Sequence, residues 1–167
     1  MVQEIRWFGL ILMAAAWITL LVSFFLPAAA PLSFGWAAPL PVQTGWESFL
    51  EALNLPLVAG FRPLAILAPC AAAINALVLV GPLAILALRQ CAAAYGALVC
   101  ICGGLAAWLC PMIYDDLRIG YYLWIGSIFA IAAAAFLIGM SHAREQSLAH
   151  DRRLAELRKV QAALEQA

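Results

Sequence analysis

Five cysteines are the side chains best suited to chemistry in this sequence: Cys70, Cys91, Cys100, Cys102 and Cys110. The thiolate is the reactive form of cysteine, and a Cys-x-x-Cys spacing is a common way to stabilise it. No such spacing occurs here, and Cys100-Ile101-Cys102 falls in the middle of an apolar run, away from any aqueous substrate. One pair stands apart. Cys70 lies twenty residues before Gln90 and Cys110 twenty after it, so a hairpin turning at Gln90 brings the two to one depth. With α-carbons about 5.5 Å apart, Cys70 and Cys110 could form a disulfide in an oxidising compartment. Otherwise the five pack as small hydrophobes.

The remaining reactive side chains are sparse. His142 and His150 are eight apart, near two helical turns, but no third ligand accompanies them, so no metal centre is expected. Asp115 and Asp116 are adjacent carboxylates with no matching His or further acid and are expected in a solvated turn. There is no glycine-rich phosphate loop, no Ser-His-Asp ordering and no basic surface of the extent that nucleic acid requires. The sequence therefore predicts no catalytic residue, no cofactor, no metal and no nucleic-acid partner.

The elements that would position these residues follow from composition. Of 167 residues, 66% are hydrophobic and 11% charged, against about 25% charged in ordinary soluble domains. Charge-free runs at about 7–26, 64–88, 91–112 and 120–140 each reach the roughly 20 residues needed to cross a bilayer core. In lipid each must bond its own backbone and so be helical. The expected fold is an all-α membrane protein, a four-transmembrane-helix bundle over residues 1–140 followed by a cytoplasmic amphipathic helix over 141–167. Ala28-Ala29-Ala30 imitates a signal-peptide cleavage site, yet the apolar run before it is longer than a signal core and Glu4 stands against Arg6, so it reads as a span.

Orientation follows from Lys and Arg, which are retained on the cytoplasmic side. Under four spans, Arg6, Arg89, Arg144, Arg152, Arg153, Arg158 and Lys159 fall on one side, and Arg62 and Arg118 on the other, which places both termini inside. None of the spans carries Asp, Glu, Lys, Arg or His. Such groups mark proton relays and ion paths, so the sequence argues against a pump, a proton-coupled transporter or a voltage sensor.

Three local patterns stand out. In the outer loop 27–63, Thr44-Gly45-Trp46-Glu47 has capping-box form and predicts a short helix from Gly45 to Asn54. On it Trp46, Phe49, Leu50 and Leu53 share a face suited to the membrane surface, although a docking surface or a lid over a cavity would use the same face, and both readings predict burial of Trp46. Asn75, mid-span, comes out level with Gly103 and Gly104 across the hairpin and predicts a helix-packing node. In the tail, Leu154, Leu157, Val160 and Leu164 line one side of a helix free of Gly and Pro, a stripe that calls for a partner.

With Leu26-Pro27 closing the first span, Gly45-Trp46-Glu47 in the outer loop and Gly120-Tyr121-Tyr122-Leu123 opening the last, the chain resembles a group of uncharacterised bacterial four-helix membrane proteins. That resemblance implies a bacterial inner membrane and carries no activity. Claudin-like proteins share the long first outer loop, but the cysteine pair of that loop is absent between Pro27 and Pro63.

The leading expectation is a non-catalytic subunit or scaffold of a membrane assembly, surrounded by lipid and joined to a protein partner or a second copy through small-residue helix faces and the tail. A competing reading is a lipid or hydrophobic small-molecule binder, with Trp17, Asn75 and Tyr95 lining a pocket. A third, a membrane thiol redox protein, depends on Cys70 and Cys110.

Overall fold

The structure is a computed structural model and describes residues 2–31, 41–50 and 63–165. It is mostly helical. The chain runs through α1 (Val2–Ser23), strands β1 (Pro27–Pro31) and β2 (Gln43–Thr44), a helical stretch α2 at 45–50, and α3 (Pro63–Ala87). A 3-10 turn (Arg89–Cys91) leads into α4 (Ala92–Ile113), β3 (Tyr114–Leu117) and a long α5 (Ile119–Glu165). Among the described residues three helices are long and apolar enough to cross a membrane: Gln3–Ser23, Arg89–Trp108 and Ile119–Lys159. The stretch Ala73–Ala87 of α3 is a shorter apolar helix.

α1 stops three residues earlier than its apolar run. Pro27 has no N–H and disfavours helix at the residue before it. The last turn therefore tightens, with the Phe24, Phe25 and Leu26 amides donating three residues back to Leu21, Val22 and Ser23. Ser23, buried, donates its hydroxyl to the Leu20 carbonyl at 2.6 Å.

Beyond that turn lies a three-stranded antiparallel sheet in the order β2-β1-β3. Ala29 pairs with Gln43 on one side and Leu117 on the other. The Arg118 amide adds a bond to the Ala28 carbonyl at 2.8 Å. Tyr114–Leu117 is thus a strand of this sheet, where the sequence suggested a solvated turn. It ties the α4–α5 connection to the end of α1. At Gly120 the backbones come so close that an added methyl would sit 2.7 Å from the Pro27 carbonyl oxygen.

α5 is the centre of the bundle, packing most extensively against α1 and α4. The reason is side-chain size. A methyl added at Gly96 of α4 would lie 2.9 Å from the Ala132 carbonyl oxygen, and one at Gly139 would lie 2.9 Å from Ala93. Small residues let two backbones approach in lipid, where packing rather than the hydrophobic effect drives association. Leu20, Val78, Val99, Ile128 and Ile131 fill the core between these contacts and are fully buried.

α3 stays helical through Gly81-Pro82. Pro82 has no N–H to give the carbonyl one turn back, which loosens the ladder there. Two flanking carbonyls receive donors from other helices: Trp17 of α1 bonds Leu79 O at 3.2 Å and Tyr95 of α4 bonds Leu77 O at 3.2 Å. Neighbouring helices thus supply the polar contacts that lipid cannot.

Candidate functional site

Among the described residues the buried polar side chains are few and each has a hydrogen-bond partner. Buried Asn75 accepts a hydrogen bond from the Trp124 indole of α5 at 2.6 Å. This corrects the expected node. Gly103 instead meets Ile128 of α5, whose side chain would lie only 2.6 Å from an added methyl, and Gly104 has nothing within 4 Å of such a methyl. Depth matching across the α3–α4 hairpin does not reveal which third helix lies alongside, and Trp124, with a buried N–H that needed an acceptor, was the missed partner. Tyr121, also buried, donates to Ala107 O at 3.3 Å.

At the sheet end the capping box forms as the sequence predicts. The Thr44 amide and hydroxyl both donate to the Glu47 carboxylate, at 2.8 and 2.9 Å, and the Glu47 amide donates back to Thr44 Oγ1 at 3.3 Å. The bonds from Thr44, the backbone amide foremost, hold the Glu47 carboxyl below its ordinary 4.5. They fix α2 so that Trp46 and Phe49 stack about Phe24, with ring centroids 5.6 to 6.3 Å apart. Trp46 nevertheless remains 52% exposed and Leu50 is exposed, so this face is presented outward rather than buried. Leu53 lies outside the described residues. Asp116 is ion-paired with Arg118 on the same end.

Cys110 carries a free thiol in this structure, as do Cys91, Cys100 and Cys102. The Cys70 side chain lies outside the described residues. His150 is exposed, while His142 is partly buried and its ring contacts the Gln146 amide at 3.0 Å.

The opposite, tail end collects charge. Arg6 of α1 pairs with Glu145 of α5 at 3.7 Å. Arg6, Arg89, Ser141, His142 and Glu145 surround a cleft where α1, α3 and α5 meet. From there α5 continues without a break to Glu165. After Glu145 every described side chain of this helix is exposed. Leu148, Leu154, Leu157 and Leu164 are bare, the last two at 64% and 73% exposure. The Val160 side chain lies outside the described residues. Leu154, Leu157 and Leu164 of the stripe expected from sequence are thus all exposed on this helix.

No protein-family model, curated protein or solved structure matches this chain. The class defined by the fold is that of a mostly helical chain with, among the described residues, three helices long and apolar enough to cross a membrane.

Proposed function

We propose that this protein is a non-catalytic subunit or scaffold of a membrane assembly, a four-span bundle in a bacterial inner membrane with both termini cytoplasmic. The observation that carries the reading is the continuation of α5, the central packing helix, into a tail on which Leu148, Leu154, Leu157 and Leu164 are exposed among the described residues. Fully burying one leucine is worth about 1.5–3 kcal/mol, so a partner helix laid on this stripe gains substantially. A second chain or a different subunit fits better than the membrane surface, because acids and bases nearly balance along the tail.

Two further features support the reading. The spans hold no Asp, Glu, Lys, Arg or His, and the polar tips of Trp17, Asn75 and Tyr95 are engaged with the protein itself. A binder that used those three residues would have to break those bonds. As for orientation, Arg6, Arg89 and the tail arginines gather at one end of the bundle, the arrangement that retention of basic residues in the cytoplasm produces.

The test is deletion of residues 147–167, which spares the Arg6–Glu145 pair. The assembly, isolated in mild detergent and weighed intact, is expected to lose its partner or fall to a smaller size. An unchanged assembly mass would refute the role given to the tail.

A further inference from the structure

We infer that the open groove at the tail end, formed by residues 86–90 and His142 beside the cleft between α1, α3 and α5, holds the phosphate of an anionic phospholipid headgroup. The inference rests on the membrane-crossing helices and does not require the tail to have a protein partner.

Two nitrogen-bearing side chains from different elements, Arg89 and His142, line the groove, and Arg6 lines the narrow cleft that opens onto it. Each is the first ionisable residue beyond an apolar run. Arg6 precedes Trp7, Arg89 follows Leu88, and His142 follows Met140-Ser141. They therefore stand at the level where hydrocarbon gives way to lipid phosphates, and basic pockets between spans at that depth suit anionic headgroups.

The cleft has two parts. The inner part has about 10 Å³ of free space, enough for one water. It shares Leu86, Arg89 and His142 with an open groove of about 450 Å³ that runs along residues 86–90. Glu145 lines only the inner part, where it already faces Arg6. An anion is thus repelled from the Glu145 side and drawn to the groove. There Arg89 has no ion-pair partner among the described residues. A guanidinium offers phosphate a bidentate, charge-assisted contact.

The groove also explains why a lipid fits better than free phosphate. Leu86 and Leu88 flank Arg89 and are more than half exposed. They offer an apolar shelf for the glycerol and upper acyl carbons below a headgroup bound at Arg89. A free phosphate would have no use for that shelf.

The experiment uses the full-length protein in mild detergent, with phosphatidylglycerol, phosphatidylcholine or inorganic phosphate added and retained ligand counted by native mass spectrometry. Wild type is expected to retain one phosphatidylglycerol in preference to phosphatidylcholine. Arg89→Gln should lower that retention by roughly tenfold, and Arg89→Lys, which keeps charge but loses the fork, by an intermediate factor. The double variant Arg152→Gln/Arg153→Gln removes two charges from the exposed tail and should change retention less than about twofold. Equal losses in the Arg89 and tail variants would mean diffuse charge attraction and overturn the site. Absence of any headgroup preference would do the same. Displacement of the lipid by millimolar inorganic phosphate would overturn the lipid assignment in favour of a simple anion site.

Discussion

Gly81 lies under the ring of Tyr95, and Gly81→Ala should separate α3 from α4. A methyl built at Gly81 overlaps Tyr95 at Oη, Cε2 and Cζ. The ring cannot simply slide away, since its hydroxyl is held by Leu77 O and it packs against the buried core. Overpacking of this kind costs about 1–3 kcal/mol. Losing the Tyr95 bond adds about 0.6 kcal/mol, the average for interhelical bonds in membranes. The total expected loss is therefore about 2–4 kcal/mol. In a Tyr95→Ala background the obstacle is gone, and Gly81→Ala should cost less than about 0.5 kcal/mol, so the two changes couple strongly. Gly104→Ala, where the added methyl meets nothing within 4 Å, is the control and should be near neutral. Unfolding by sodium dodecyl sulfate in mixed micelles, followed through tryptophan fluorescence, measures all of these. If Gly81→Ala is equally costly with and without the Tyr95 ring, the packing account is wrong.

Replacing Asn75 by Leu leaves the Trp124 indole without its acceptor and should cost about 0.6–1.7 kcal/mol in the same unfolding assay. In a Trp124→Phe background that cost should largely disappear. Gly120→Ala brings a methyl 2.7 Å from Pro27 O and 2.9 Å from Leu26 O, backbone atoms that cannot rotate aside. It should destabilise by about 1–3 kcal/mol, with the Ala28–Arg118 amide bond the first to exchange with deuterium. Because the Thr44 bonds lower the Glu47 pKa, their stabilisation of α2 is complete above the ordinary 4.5 and is lost as pH falls through the lowered folded value. The Thr44 amide resonance should titrate with a midpoint below 4.5 and lose that inflection in Glu47→Gln; a midpoint at or above 4.5 contradicts the capping geometry.

Length and hydropathy were enough to locate the helices, since apolar runs without charge leave the backbone little choice in lipid. The absence of Gly and Pro after Met140 likewise foretold a helical tail, and Thr44-x-x-Glu47 foretold its own hydrogen bonds. The sheet was not legible. Pro27–Pro31 is three alanines between prolines, and Tyr114–Leu117 contains two aspartates, residues depleted in strands. Those strands form because two helix ends emerge side by side and their backbones need partners, a tertiary cause with no local pattern. The partner of Asn75 was hidden for a related reason. Counting from Gln90 sets depth within one hairpin but says nothing about the helix that packs beside it. Arg6 and Arg89 were read only as markers of sidedness; their meeting with His142 needed the bundle.

Because α5 serves as both the hub of the bundle and the tail, one continuous helix joins the two. The 20 residues from Glu145 to Leu164 extend about 30 Å at 1.5 Å per residue. Over that arm a tilt of about 10° within the membrane carries the tip by about 5 Å, close to one helical turn. The helix is thus a lever whose fulcrum lies at the Arg6–Glu145 pair. Anything grasping the tip feels small reorientations of the membrane segment as large displacements, and a pull on the tip in turn bears directly on the tightest contacts in the bundle.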